Sequence, residues 1–123
     1  MPITITIPEV AVTSPTAPPA PQNISIVAAE GASVAIADLE AITNDSNVAQ
    51  TLKVTVSNVV NATVTRVGIT NNGNFQSQNN VTEFQTTVQP NKIANAKINF
   101  GVTPGAPGDP ASEATADYLY EWV

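Results

Sequence analysis

The chain has 123 residues, of which four are basic and ten acidic, and its formal net charge is −6. It contains no Cys and no His, which excludes disulfides, the usual zinc sites, thiol nucleophiles and imidazole bases. The acidic balance also argues against nucleic-acid binding, because neutralising phosphates requires clustered Lys and Arg.

The composition predicts an almost entirely β domain. Val, Ile and Thr number 15, 10 and 15, against three Leu, and such β-branched side chains pack well on a pleated surface. Charged residues make up only 11% of the chain, whereas about 25% is usual for a soluble domain. Sheet edges with so few charges are poorly protected against pairing, so we expect partners to cover them.

Residues 1–23 differ in composition from the rest of the chain and hold six of its ten prolines. The run from Pro15 to Pro21 predicts extended polyproline II. Ahead of it, Ile-Thr-Ile-Thr-Ile alternates at period two, which predicts a short strand with an apolar face. Such a strand would be an aggregation hazard as a free tail, so we expect an extended arm that adds to the sheet edge of another chain. The residues predicted to make this contact are Ile3, Ile5, Ile7, Val10 and Val12.

From residue 24 to residue 123, short alternating segments recur between turn signals. The clearest alternation is at Leu52–Val56 and at Ala94–Val102, and Asn72-Gly73 lies in a strong turn signal. About seven strands at this spacing predict an antiparallel β-sandwich of the immunoglobulin-like kind. The Cys–Trp–Cys spacing of true immunoglobulin domains is missing.

The segment Asp38–Asn47 differs from the predicted strands in its helical or loop character. It contains five carboxylate or amide side chains, and Ca²⁺ takes six to eight oxygens. The spacing does not match an EF-hand loop, and Asn and Asp side chains also stabilise turns by bonding their own backbone. Turn chemistry and calcium binding therefore both stay open, and we assign no metal or cofactor. These side chains are Asp38, Glu40, Asn44, Asp45 and Asn47.

The C-terminal strand carries half of the aromatic residues of the chain. Tyr118, Tyr120 and Trp122 lie on one face of the alternating segment. This face is explained either by core packing or by a subunit interface, where Tyr and Trp are enriched.

An enzyme is not favoured by this sequence. Hydrolysis of sugars needs paired carboxylates in a cleft rich in aromatics, and aromatic residues are only 5% of the chain. No segment reaches the roughly 18 apolar residues of a membrane helix, so we expect no membrane partner. The first basic residue is Lys53, so a Sec-type signal peptide is not expected and synthesis would be cytoplasmic.

One internal segment resembles a family of surface repeats. Residues 36–65 contain an acidic loop, then a Leu-X-Val-X-Val strand and then a short turn, and in this they look like bacterial cadherin-like or immunoglobulin-like repeats. The resemblance implies an adhesin or cell-surface binding module. Calcium is not implied, because the regular Asp-rich ligand set of such repeats is missing.

The overall plan resembles the head decoration, or cement, proteins of tailed bacteriophages. The arm MPITITIPEVAVTSPTAPPAPQ followed by a sandwich carries this likeness. Proteins of that family are small, cysteine-poor β proteins with extended arms, and they commonly stand as trimers on the outer capsid surface. The resemblance implies a structural virion protein, made in the host cytoplasm, with the major capsid protein as partner and a homotrimeric state.

Overall fold

The computed structural model describes residues 3–4, 10–28, 31–103 and 113–123, and these ranges contain eight β-strands. The strands form two four-stranded antiparallel sheets with the orders β1-β8-β3-β6 and β2-β7-β4-β5. The predicted all-β antiparallel sandwich is confirmed, with eight strands rather than about seven. The strands are β1 (Gln22–Ile26), β2 (Val34–Thr43), β3 (Gln50–Val60), β4 (Ala62–Asn71), β5 (Asn74–Asn79), β6 (Glu83–Val88), β7 (Ile93–Val102) and β8 (Ala114–Trp122).

The pairing of the strands is that of one long hairpin wound into a roll. β4 pairs with β5, β3 with β6, β2 with β7 and β1 with β8, so each pair encloses the previous one. Winding then brings β8 beside β3 and β7 beside β4. This double Greek-key order is a jelly roll, which differs from the ABED and CFG sheets of immunoglobulin domains.

The tip of the hairpin is the turn that the sequence predicted. Asn72 and Gly73 connect β4 to β5 with φ values of 48° and 86°. Positive φ at both central residues is typical of the type I′ turn, whose twist matches that of the flanking strands. Asn and Gly tolerate this conformation better than other residues, so these two residues fix the register of the innermost strand pair.

The core lies between the sheets and follows the predicted alternation. Leu52 and Val54 of β3 are fully buried, as are Ile98 and Phe100 of β7. Full burial of one such side chain stabilises the fold by about 1.5–3 kcal/mol. The intervening residues of these strands are half-buried or exposed, so the period-two pattern correctly indicated which face points inward.

The prediction of helix or loop for Asp38–Asn47 is wrong over its first six residues. These residues are the second half of β2, where Ala41 and Ile42 pair with Asn95 and Ala94 of β7. Ile42 is buried in the core, and burial against a neighbouring strand outweighs the local polar pattern. At the arm, β1 begins at Gln22, two residues before the predicted domain boundary.

A bulge in β2 leaves backbone groups for a side chain to bind. The register places Leu39 and Glu40 opposite Ala96 alone, so one ladder position is lost. Tyr120 of the other sheet occupies this gap. Its hydroxyl accepts a hydrogen bond from Ala96 N at 2.7 Å and donates one to the Glu40 carbonyl at 3.0 Å. The two sheets are therefore joined by a buried phenol as well as by apolar contacts.

We expect Tyr120→Phe to lower the free energy of unfolding by about 2 kcal/mol, because the buried Ala96 N–H and the part-buried Glu40 carbonyl lose their partner. Urea denaturation followed by Trp fluorescence measures this change. The matched control is Tyr118→Phe, since the Tyr118 hydroxyl bonds the exposed Glu40 carboxylate, which water can solvate. The control should cost less than about 1 kcal/mol. Equal losses in the two variants would contradict the bridging role of Tyr120.

Candidate partner-binding site

The turn after β2, residues 44–48, is built around a buried asparagine, and we call it the arm-binding turn. The side-chain amide of Asn44 donates to the carbonyls of Val48 and Val88, both at 2.9 Å. Its Oδ1 accepts from the backbone N–H and the hydroxyl of Ser46, at 3.0 and 2.6 Å. All four hydrogen-bonding positions of the amide are used, so the turn is held rigidly, with Asp45 and Asn47 facing outward.

Asp45 projects from the arm-binding turn and binds the arm at Thr16. The Thr16 backbone N–H donates to Asp45 Oδ1 at 2.7 Å, and the Thr16 hydroxyl donates to Oδ2. Both hydrogen bonds favour the charged carboxylate. The Thr16 hydroxyl, followed by the Thr16 N–H, therefore lowers the pKa of Asp45 below its ordinary value of 3.8.

Asn47 binds the arm at Ala11 and Thr13, which precede Thr16 in the chain. Its Oδ1 accepts from the backbone N–H of Thr13 at 3.0 Å, and its Nδ2 donates to the Ala11 carbonyl at 2.8 Å. The Asn47 backbone N–H completes the contact by donating to the Thr13 hydroxyl at 3.0 Å. An amide side chain thus pairs with the arm backbone much as a neighbouring strand would.

Trp122 provides the third contact between the sandwich and the arm. Its indole Nε1–H donates to the Thr16 carbonyl at 3.0 Å, and its ring is half-buried at the end of β8. Residues 11–16 are therefore held on their own sandwich through Asp45, Asn47 and Trp122. Thr13 and Thr16 were not among the residues predicted from the sequence, although two threonines in a proline-rich segment are a weak signal of side-chain hydrogen bonding.

The predicted partner-binding residues of the arm lie outside this contact wherever they are described. Ile3, Val10 and Val12 are 89%, 78% and 71% exposed in the single chain. Ile5 and Ile7 lie outside the described residues. The binding of these residues to another chain stays a prediction.

The two C-terminal tyrosines lie in the core. Tyr118 and Tyr120 are buried, and their rings meet edge to face with centroids 5.8 Å apart. Burial raises the pKa of both hydroxyls above the ordinary value of 10.0, so they act as neutral hydrogen-bonding groups. Of the two explanations that the sequence left open, core packing applies to the tyrosines, whereas Trp122 lies beside the arm.

The oxygen ligands between Asp38 and Asn47 do not converge on one point. Asp38 pairs with Lys97 across the sheet at 3.7 Å. All hydrogen-bonding positions of the Asn44 side chain are already used within the protein. Asp45 and Asn47 bind the arm. Within the described ranges, no group of three or more His, Cys, Asp or Glu side chains is placed to hold a metal ion. Turn chemistry therefore accounts for Asn44, whereas Asp38, Asp45 and Asn47 have other partners within the chain.

A second surface feature lies on the outer face of the β2-β7-β4-β5 sheet. The Phe75 ring lies over Gly68, where an added Cβ would approach its Cζ to 2.7 Å. The Arg66 guanidinium lies 4.9 Å from the ring centroid, and the Lys97 amine lies 5.5 Å from it. Arg66 Nε also donates to Ser77 Oγ at 2.5 Å. This group, the Phe75 platform, combines an aromatic surface with fixed hydrogen-bond donors.

Comparisons with protein-family models, with curated proteins and with solved structures find no match to this chain. In the part of the chain that the structure describes, no helix has the length and apolar character needed to cross a membrane. The candidate sites are therefore characterised by their own geometry alone.

We expect acid to release the arm from the arm-binding turn. Because the folded pKa of Asp45 is lowered, its contribution to docking is complete above pH 3.8 and is lost as the pH falls through the lowered value. Trp122 is the single Trp and contacts the arm, so its emission should shift to the red over this range.

Asp45→Asn should remove this acid transition in the Trp122 emission. The matched control is Asp117→Asn, because hydrogen bonds from Asn23 and Asn58 lower the pKa of Asp117 at a place without arm contacts. A transition that persists in Asp45→Asn and vanishes in Asp117→Asn would contradict this assignment.

Proposed function

We propose that this chain is a structural virion protein that decorates the outside of an assembled phage head and clamps neighbouring capsid subunits. The observation that carries the proposal is the arm. Residues 11–16 are fastened to the sandwich, whereas the apolar side chains of Ile3, Val10 and Val12 are exposed. Such an anchored arm is suited to reach a surface beyond its own domain.

The proposed mechanism is linkage between binding and assembly. A ligand that binds the assembled shell and not its free subunits stabilises the shell by mass action. The proposed partners are the major capsid protein and, in a homotrimer, two further copies of this chain. Three arms on one particle would raise the avidity without a strong single contact. The net charge of −6 is consistent with an outer surface that faces solvent.

The alternative function is that of an adhesin or cell-surface binding module. The observation that favours it is the Phe75 platform, because a partly exposed ring with two cations over it offers apolar surface and hydrogen-bond donors to a sugar. Jelly rolls occur in both viral capsid and lectin domains. Fold alone does not separate these functions, so the two surfaces must be tested individually.

The test is co-sedimentation of the protein with phage heads assembled without it. We expect binding by the unchanged chain and at least a tenfold weaker binding by Ile3→Asp/Val10→Asp/Val12→Asp, since each charge would have to be desolvated in the contact. All three positions are exposed, so folding should be unaffected. The matched control is Val60→Asp, an exposed apolar position on β3.

Two results would count against the decoration function. The first is the absence of binding to heads by the unchanged chain, and the second is full binding by the triple variant. Binding to immobilised glycans that is lost in Phe75→Ala and retained in the triple arm variant would instead support the adhesin.

A further inference from the structure

The first half of β2 is an unprotected sheet edge. β2 is the outer strand of its sheet and pairs only with β7. Beside its second half, residues 16–19 of the arm line a cleft with residues 40–43. Among the described residues no strand pairs with the free side of residues 34–38. Val34 and Ile36 there are 54% and 58% exposed, which makes this an edge of the kind that pairs with other chains.

The surroundings of this edge are apolar and almost uncharged. A cleft of about 280 Å³ separates it from β1 and is lined by Ile24, Ile26, Ala35 and Ala37, among others. Asp38 is the one charged residue of the lining, and Lys97 pairs with it at 3.7 Å. A strand added here would meet backbone donors and acceptors on one side and apolar side chains above and below.

We infer that residues 34–38 of β2 bind residues 3–7 of a second copy of this chain as an added antiparallel strand. The match in length supports this choice of occupant. Pro2 and Pro8 flank the segment Ile-Thr-Ile-Thr-Ile, and proline cannot donate to a ladder. The segment can therefore pair over five residues, or about 17 Å, which is the length of the free edge.

The pattern of side chains also matches. When residues 3–7 are aligned antiparallel with all five residues from 34 to 38, Ile5 lies opposite Ile36, and Ile7 lies opposite Val34. Ile5 and Ile7 then cover the exposed apolar side chains of β2, because directly opposed residues share one face. In the same register Ile3 lies opposite Asp38. The threonines fall opposite Ala35 and Ala37, whose small side chains leave room beside the cleft.

Charge and anchoring favour a second copy as the source of the segment. Each copy carries −6, so two copies repel wherever their acidic residues meet. Residues 1–8 contain no charged side chain, and residues 31–38 contain only Asp38, which pairs with Lys97 of its own chain. Within its own chain Ile3 is 89% exposed, and the arm is fastened at residues 11–16. Contacts of this head-to-tail kind form a ring when the rotation between copies closes. This inference goes beyond the proposed function, because it needs no capsid. It assigns residues 3–7 to a second copy and leaves the exposed Val10 and Val12 to the capsid.

The first experiment compares the masses of three purified full-length proteins by light scattering. We expect the unchanged chain to be an oligomer and Ile36→Lys to have the mass of one chain, since a charge at the edge blocks pairing. The matched control is Ile93→Lys, which is similarly exposed at 52% and lies on β7; it should keep the oligomer. A single-chain mass for the unchanged protein, or an oligomer in Ile36→Lys, would overturn the inference.

The second experiment identifies the two segments that meet. Because the chain has no Cys, copies with Ile5→Cys and differently tagged copies with Ile36→Cys can be mixed and oxidised. We expect a mixed disulfide at least fivefold more abundant than with Ile93→Cys, since opposed positions in a sheet satisfy disulfide geometry. A double variant that forms its disulfide only within one chain would overturn the assignment to a second copy. Head binding by a monomeric protein would leave capsid decoration intact, while this inference and the homotrimer failed.

Discussion

The hydrogen bonds of the Tyr120 hydroxyl hold the bulge of β2 against the opposite sheet, and the candidate site depends on this contact. The bulge frees the Ala96 N–H and the Glu40 carbonyl, and a buried phenol is a donor and an acceptor that can satisfy both. With the bulge fixed, the second half of β2 pairs with β7 up to Thr43. The next residue, Asn44, is thereby placed in the core, where it organises the turn that binds the arm.

The arm is bound mainly through its backbone, which explains how a proline-rich segment can be held. An extended proline-rich chain has no internal hydrogen bonds, so its carbonyls and remaining N–H groups are free to bind side chains. Asn47 and Trp122 use these groups, and Asp45 adds a carboxylate that bonds Thr16 twice. Fastening residues 11–16 shortens the free part of the arm to its first ten residues, which limits how far a partner can lie from the sandwich.

The sequence predicted the local properties of the fold better than its long-range order. Alternation at Leu52–Val56 and Ala94–Val102 identified the inward faces, because burial of one sheet face imposes period two. Strand pairing is not encoded in that period, so the immunoglobulin-like order was expected where a jelly roll is observed. The prediction of helix or loop for Asp38–Thr43 failed for the same reason, since these residues form a strand by pairing with β7. The arm contacts of Thr13 and Thr16 depend on residues about 30 positions away, and no local pattern indicates them.

The low charge of the chain has different consequences at the different sheet edges. The edge strand β5 presents mostly Asn, Gln and Ser, which are solvated without a partner. On β6, Glu83 pairs with Lys53 at 3.3 Å and places charge at the edge. The second half of β2 lies beside arm residues 16–19, which include two prolines and offer few donors to a further strand. These devices are the ones by which natural sheets avoid edge pairing. Residues 34–38 have an exposed Val and an exposed Ile ahead of Asp38, so this edge differs from those of β5 and β6 in favouring a partner strand over solvent.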